Sequence, residues 1–133
     1  MTFFCDDLAD YLQAQSLGVV GTDIFIGYLP SSPDTLLAIY PTGGFASDGK
    51  WGYDDITVQL RSRGTNPLNG FSVLEDAYNV LHGLHNVNIG GTHVVNILAM
   101  QSQPTSIGED DASRSEFTQN YRIRIRNKTL NRV

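Results

Sequence analysis

Apolar and polar positions alternate with a period of two in two stretches, Ile56-Thr57-Val58-Gln59-Leu60-Arg61-Ser62-Arg63 and Tyr121-Arg122-Ile123-Arg124-Ile125-Arg126. Successive strand side chains point to opposite sheet faces. Ile56, Val58 and Leu60, with Tyr121, Ile123 and Ile125, therefore belong to one face, and Arg61, Arg63, Arg122, Arg124 and Arg126 to the other. That second face has two readings, the solvated side of an antiparallel sheet or a surface built for assembly or for lining a channel. Helical spacing joins Phe4, Leu8, Tyr11, Leu12 and Gln15. Asp6 and Asp7 stand where carboxylates favour the helix dipole, Gly18 is a stop, and a helix is expected from about Thr2 to Ser16. A second helix carries Val73, Ala77, Val80, Leu81 and Leu84 on one face, behind the capping-box spacing of Ser72 and Glu75, and should pack on the sheet.

The remaining segments complete an α+β reading. Asp23–Tyr28 and Leu36–Tyr40 are apolar runs of strand length, parted by the proline-bearing Leu29–Asp34, and are expected to be neighbours in one sheet. Pro41–Asp55 contains Gly43, Gly44, Gly49 and Gly52 and lacks periodicity, so it reads as a long loop. Trp51 and Tyr53 in that loop either fold back on the core or anchor an interface. Asn86–Ile97 reads as a hairpin turning at Gly90-Gly91, Gln103–Ser115 as a polar loop, and residues 127–133 as a mobile polar tail. The expected architecture is a single domain over residues 1–126, with a mostly antiparallel sheet and two helices packed on one of its faces.

A chain of 133 residues can bury about two-thirds of its unfolded surface, enough for one core without staples. The single cysteine, Cys5, has no internal partner and reads as a small buried hydrophobe rather than a reactive thiol. The opening residues lack the pattern of a signal peptide, which implies a reducing cytosol or a particle assembled there. No apolar run reaches the roughly 18 residues of a membrane span. Charge is shared unevenly: residues 1–60 hold eight carboxylates against Lys50, and residues 61–133 hold six against eight bases. An acidic half and a mildly basic half suit self-association. With a net charge of -5 and a pI near 4.9 the chain does not suit a dedicated DNA binder.

Motifs of catalysis are missing. No Gly-x-Ser-x-Gly elbow or comparable cysteine context provides a nucleophile, and the glycine pairs lack the spacing and the lysine of a phosphate loop, so no cofactor is assigned. His82, His85 and His93 are three conceivable zinc ligands, but histidines near a helix C-terminus are satisfied by its dipole, and no metal site is assigned. Glu109-Asp110-Asp111 lacks the spaced oxygens of a calcium loop.

Thr57–Gly64, Tyr78–Leu84, Asn88–Thr92 and Glu116–Ile123, together with the opening helix and Gly21–Gly27, make the chain resemble the tail terminator proteins of long-tailed bacteriophages, also known as minor capsid or tail completion proteins. The likeness is weakest in Pro41–Asp55 and Gln103–Ser115. The resemblance implies a non-catalytic virion protein that assembles in the host cytoplasm as a homo-oligomeric ring, usually a hexamer, on the tail tube protein. Such a ring would stop tube polymerisation and join the head-completion proteins of the neck, and DNA would pass through it without sequence-specific contacts. The alternation and the aromatic-bearing loop make Arg61, Arg63, Arg122, Arg124, Arg126, Trp51 and Tyr53 the candidates for the assembly interface. Two rivals stand beside the family reading: a ligand-binding or regulatory domain, which needs a closed pocket of a few hundred cubic ångströms lined by apolar groups, and a small metal-dependent enzyme built on the three histidines.

Overall fold

A computed structural model describes residues 3–132. Helix α1 runs over Phe4–Ala14 and turns Phe4, Cys5, Leu8, Ala9 and Leu12 inward. Thr2, where the helix was expected to begin, lies outside the described residues. The helix ends before Gly18, because Ser16 already takes a positive φ of 66°. Helix α2 spans Pro67–Leu81, which corrects the capping-box expectation. Its N-cap is Asn66, whose side-chain oxygen accepts the Asn69 N–H at 2.9 Å. Pro67 follows in the first turn, where a missing N–H costs nothing and a fixed φ is already helical. Ser72 and Glu75 therefore lie in the helix body. The fully buried stripe is Gly70, Leu74, Ala77 and Leu81, with Val73, Val80 and Leu84 packed beside it.

Among the described residues seven strands form one sheet: β1 (Ile24–Ile26), β2 (Leu36–Gly44), β3 (Tyr53–Gly64), β4 (His85–Ile89), β5 (Thr92–Ala99), β6 (Thr105–Glu109) and β7 (Ser115–Arg126). Their spatial order is β1-β2-β3-β7-β5-β4, and β6 pairs with the first half of β7. The β1–β2 pair is parallel and the others are antiparallel. The α+β expectation holds, with two corrections in the loops. The two ends of the expected Pro41–Asp55 loop belong to the strands of a hairpin, in which β2 continues to Gly44 and β3 begins at Tyr53, leaving residues 45–52 as the connection. The ladder shifts register between Pro41 and Gly44, where Gly43 and Gly44 have φ of 85° and 148°. Such a bulge erases the period-two signal. Within the expected polar loop Gln103–Ser115, β6 is exposed along its whole length. It is held by its ladder to β7 rather than by burial, so it shows no apolar alternation.

Both helices cover the same sheet face. Leu8 and Leu12 of α1 and Leu74 and Leu81 of α2 share one core with Ile39, Leu60, Ile97, Tyr121 and Ile123. Close approach of α2 to β3 requires Gly64, since a Cβ there would collide with the Gly70 backbone. The Ser62 hydroxyl seals the contact by donating to the Gly70 carbonyl at 2.6 Å. On the opposite face Phe25, Leu36 and Ala38 form a small second cluster with Leu29 and Tyr40. Past Arg126 the described residues form no strand or helix, and Arg132 ion-pairs with Asp54 at 2.6 Å. No helix among the described residues is long and apolar enough to cross a membrane.

Candidate functional site

The β3–β7 register turns the alternation into a surface. Tyr53 lies opposite Arg126, Asp55 opposite Arg124, Thr57 opposite Arg122 and Arg61 opposite Thr118. Ile123 and Ile125, between the arginines, are fully buried beneath the helices, so the arginines occupy the open face. Asp55 is the hub of that face. Its carboxylate accepts from Arg122 Nη2 at 2.6 Å and from Arg124 Nε and Nη2 at 2.8 and 3.1 Å. The Arg124 hydrogen bonds, reinforced by Arg122, hold the Asp55 carboxyl down at about 2 against the opposing effect of burial, and Asp55 in turn raises Arg124.

Aromatic rings cover the guanidinium planes. Arg61 lies over Tyr40 at 5.1 Å, Arg122 over Phe45 at 4.3 Å and Arg124 over Trp51 at 5.0 Å from the ring centroids. Trp51 also packs on Tyr53 at 5.2 Å. The 45–52 connection thus folds back across the sheet, shaped by Asp48, whose carboxylate accepts the backbone N–H groups of Lys50 and Trp51. Phe45 and Trp51 are each still 49 % exposed. Between Trp51, Tyr53, Arg124, His93 and Val95 lies a hollow of about 200 Å³.

The seven candidate residues do not share one environment. Arg61, Arg122 and Arg124, with Trp51 and Tyr53, form the aromatic and guanidinium layer just described, and Arg126 stands exposed at its end. Arg63 is different. It is only 2 % exposed, donating to the Pro33 and Asp34 carbonyls, and it clamps the loop before β2. Arg114 secures the same loop by bonding Ser31, Asp34 and Asp110. Asp55, Tyr40 and Phe45 are members of the site that sequence reasoning missed. Asp55 was one of eight carboxylates in an acidic half, and only the cross-strand register sets it beside Arg124.

The rival sites are less developed. His82 Nδ1 accepts the Ala99 N–H, His85 sits on the Gly83 carbonyl, and His93 meets Asn88. Among the described residues no group of three His, Cys, Asp or Glu could hold a metal ion. Cys5 is buried and its thiol is pushed up to about 11 by burial, with Asp6 adding to the effect. It lines a depression of about 300 Å³ with Phe3, Phe4, Pro41, Ile56 and Val58, which has the size and apolar lining of a ligand site but is open rather than closed.

A family model described as bacteriophage tail terminator protein matches residues 11–127. One solved structure, which carries no functional name, superposes with a TM-score of 0.57 at 15 % identity, covering 95 % of this chain and 92 % of that one. That likeness concerns the fold alone. None of the curated proteins matches this chain.

Proposed function

Because this chain belongs to the bacteriophage tail terminator family, whose members are structural components of the virion tail, we propose that it forms a closed ring, of six subunits by the family pattern, on the end of the tail tube. The ring would stop addition of tube subunits, offer the surface to which the neck of the filled head joins, and leave a hole for the genome. We read the chain as non-catalytic, its working parts being surfaces. The observation that carries this reading is the family match over residues 11–127. The open arginine and aromatic face supports it, because Trp, Tyr and Arg are the residue types that dominate the energetics of protein interfaces.

Deletion of the gene from its phage tests the reading. Without the protein, tail tubes should vary in length and fail to join heads, and wild-type particles should carry a ring of it at the neck end of the tube. Tubes of uniform length that join heads normally without it, or a single copy per wild-type particle, would refute it.

A further inference from the structure

The two layers of the subunit carry opposite charge. Helices α1 and α2 hold Asp6, Asp7, Asp10, Glu75 and Asp76 and not one lysine or arginine. Asp6, Asp10, Glu75 and Asp76 are exposed. Asp6 and Asp10, four residues apart, repel each other along α1 with no base on that helix to relieve them. On β3 and β7 the open face has the reverse balance: Arg61, Arg122, Arg124 and Arg126 stand against Asp55 and Glu116, while Arg63 is buried against the Pro33 and Asp34 carbonyls. No helix among the described residues covers this face, and Phe45, Trp51, Leu98 and Met100 remain 44 to 49 % exposed around Arg122. Exposed aromatics beside arginine are the composition of an interface centre, and an acidic layer is the electrostatic complement of that face.

We propose that adjacent copies in the assembled tail meet layer to face, the acidic helical layer of one subunit seating on the arginine and aromatic face of the next. This rests on the ring reading above and goes beyond it, because it puts the arginines between subunits rather than around the hole. A ring needs two different complementary patches on each copy, one for each neighbour. This chain has such a pair on its two opposite sides. DNA is the poorer occupant of the face: the Asp55 carboxylate lies at its centre, and rings cover three of its guanidinium planes.

Charge exchange tests the contact. One variant carries Asp6→Lys with Asp10→Lys, a second carries Arg61→Glu with Arg126→Glu, and a third carries all four changes. Melting temperature reports folding, and electron microscopy of tails with infectious-particle yield reports assembly. Each two-site variant should fold yet lose its ring, with yield down about a hundredfold or more, and the four-site variant should recover to within about tenfold of the parent, as restored charge complementarity requires. If Arg61→Glu disturbs the stack on Tyr40 enough to unfold the chain, the exposed Arg126→Glu replaces that pair in both variants that contain it. Normal rings in both folded two-site variants overturn the proposal. So does a loss confined to the arginine variant that the helix changes fail to rescue, the outcome expected of a DNA-facing surface. Unsubstituted tails that hold a single copy refute the ring reading itself, whereas ringed tails indifferent to all the exchanges refute only the contact.

Discussion

Replacing Asp55 by Asn removes the hub of the open face and keeps its shape. The wild-type carboxylate is 12 % exposed and takes three hydrogen bonds from Arg122 and Arg124 at 2.6 to 3.1 Å. Lowering its pKa from 3.8 to about 2 corresponds by proton linkage to about 2.5 kcal/mol at most. Arg122 and Arg124 are 43 % and 34 % exposed, however, and water screens them. After that screening about 1 to 1.5 kcal/mol of stability at neutral pH is to be expected, or a fall in Tm of about 3 to 8 °C. The pH dependence has a definite sign. Since the folded pKa is depressed, this stabilisation is fully present above about pH 4 and is lost as pH falls through about 2. Urea unfolding of wild type and Asp55→Asn should therefore differ by about 1 kcal/mol at neutral pH and converge near pH 2, and Arg124→Gln in the Asp55→Asn background should cost less than it does alone. No difference at neutral pH, or one that persists unchanged in acid, would refute the account of Asp55 as the ion-paired centre of this face.

Ile123→Asp should abolish folding, by about 4 kcal/mol or more, because the side chain is fully buried between the sheet and the helices; far-ultraviolet circular dichroism of a folded variant would mean the faces of β7 are reversed. Asn66→Ala should cost about 1 kcal/mol through loss of the cap on the Asn69 N–H, whereas Ser72→Ala should change stability by less than about 0.5 kcal/mol; chemical denaturation separates the two, and the opposite order would restore the capping box. Cys5, its thiol held up near 11 by burial, should resist a maleimide in the native protein at neutral pH and react on unfolding; rapid native labelling would contradict its place in the core.

What could be read from residues alone follows from which interactions are local. Period-two alternation assigns faces without any partner, so Ile123 and Ile125 inside and Arg122 and Arg124 outside were legible, as were the Gly90-Gly91 hairpin and both helices. The start of α2 was misread because two local signals compete. Ser72 and Glu75 have capping-box spacing, but Asn66-Pro67 provides a good cap and a favourable first turn upstream, and the helix takes the longer run. β6 was invisible because its order comes from hydrogen bonds to β7 rather than from burial. Register, the least local property of a sheet, hid the site's centre: nothing in the order of residues says that Asp55 falls opposite Arg124 rather than one pair away.

The five arginines share one alternating pattern and end in different duties, and the difference comes from what lies next to each strand position. Arg63 falls at the end of β3 beside the Leu29–Asp34 loop, whose carbonyls take its donors, and it is spent on holding the chain together. Arg124 falls directly opposite Asp55 and Arg122 two residues along, opposite Thr57, both beneath a hairpin connection long enough to fold over them. They are tied down on one edge and covered on one plane, and still reach solvent. Among the described residues Arg126 meets neither and stays free, while Arg61 is held only by Gln59 and Tyr40. A face built in this way gives a neighbour guanidinium groups whose geometry is already fixed, so little side-chain entropy remains to be lost on docking. Rigid, half-satisfied arginines set among exposed rings are therefore better suited to repeated contact between identical copies than five mobile charges would be. In the proposed ring this arrangement would serve an acidic chain, because long-range repulsion between like-charged copies would have to be overcome by attraction concentrated at the contact.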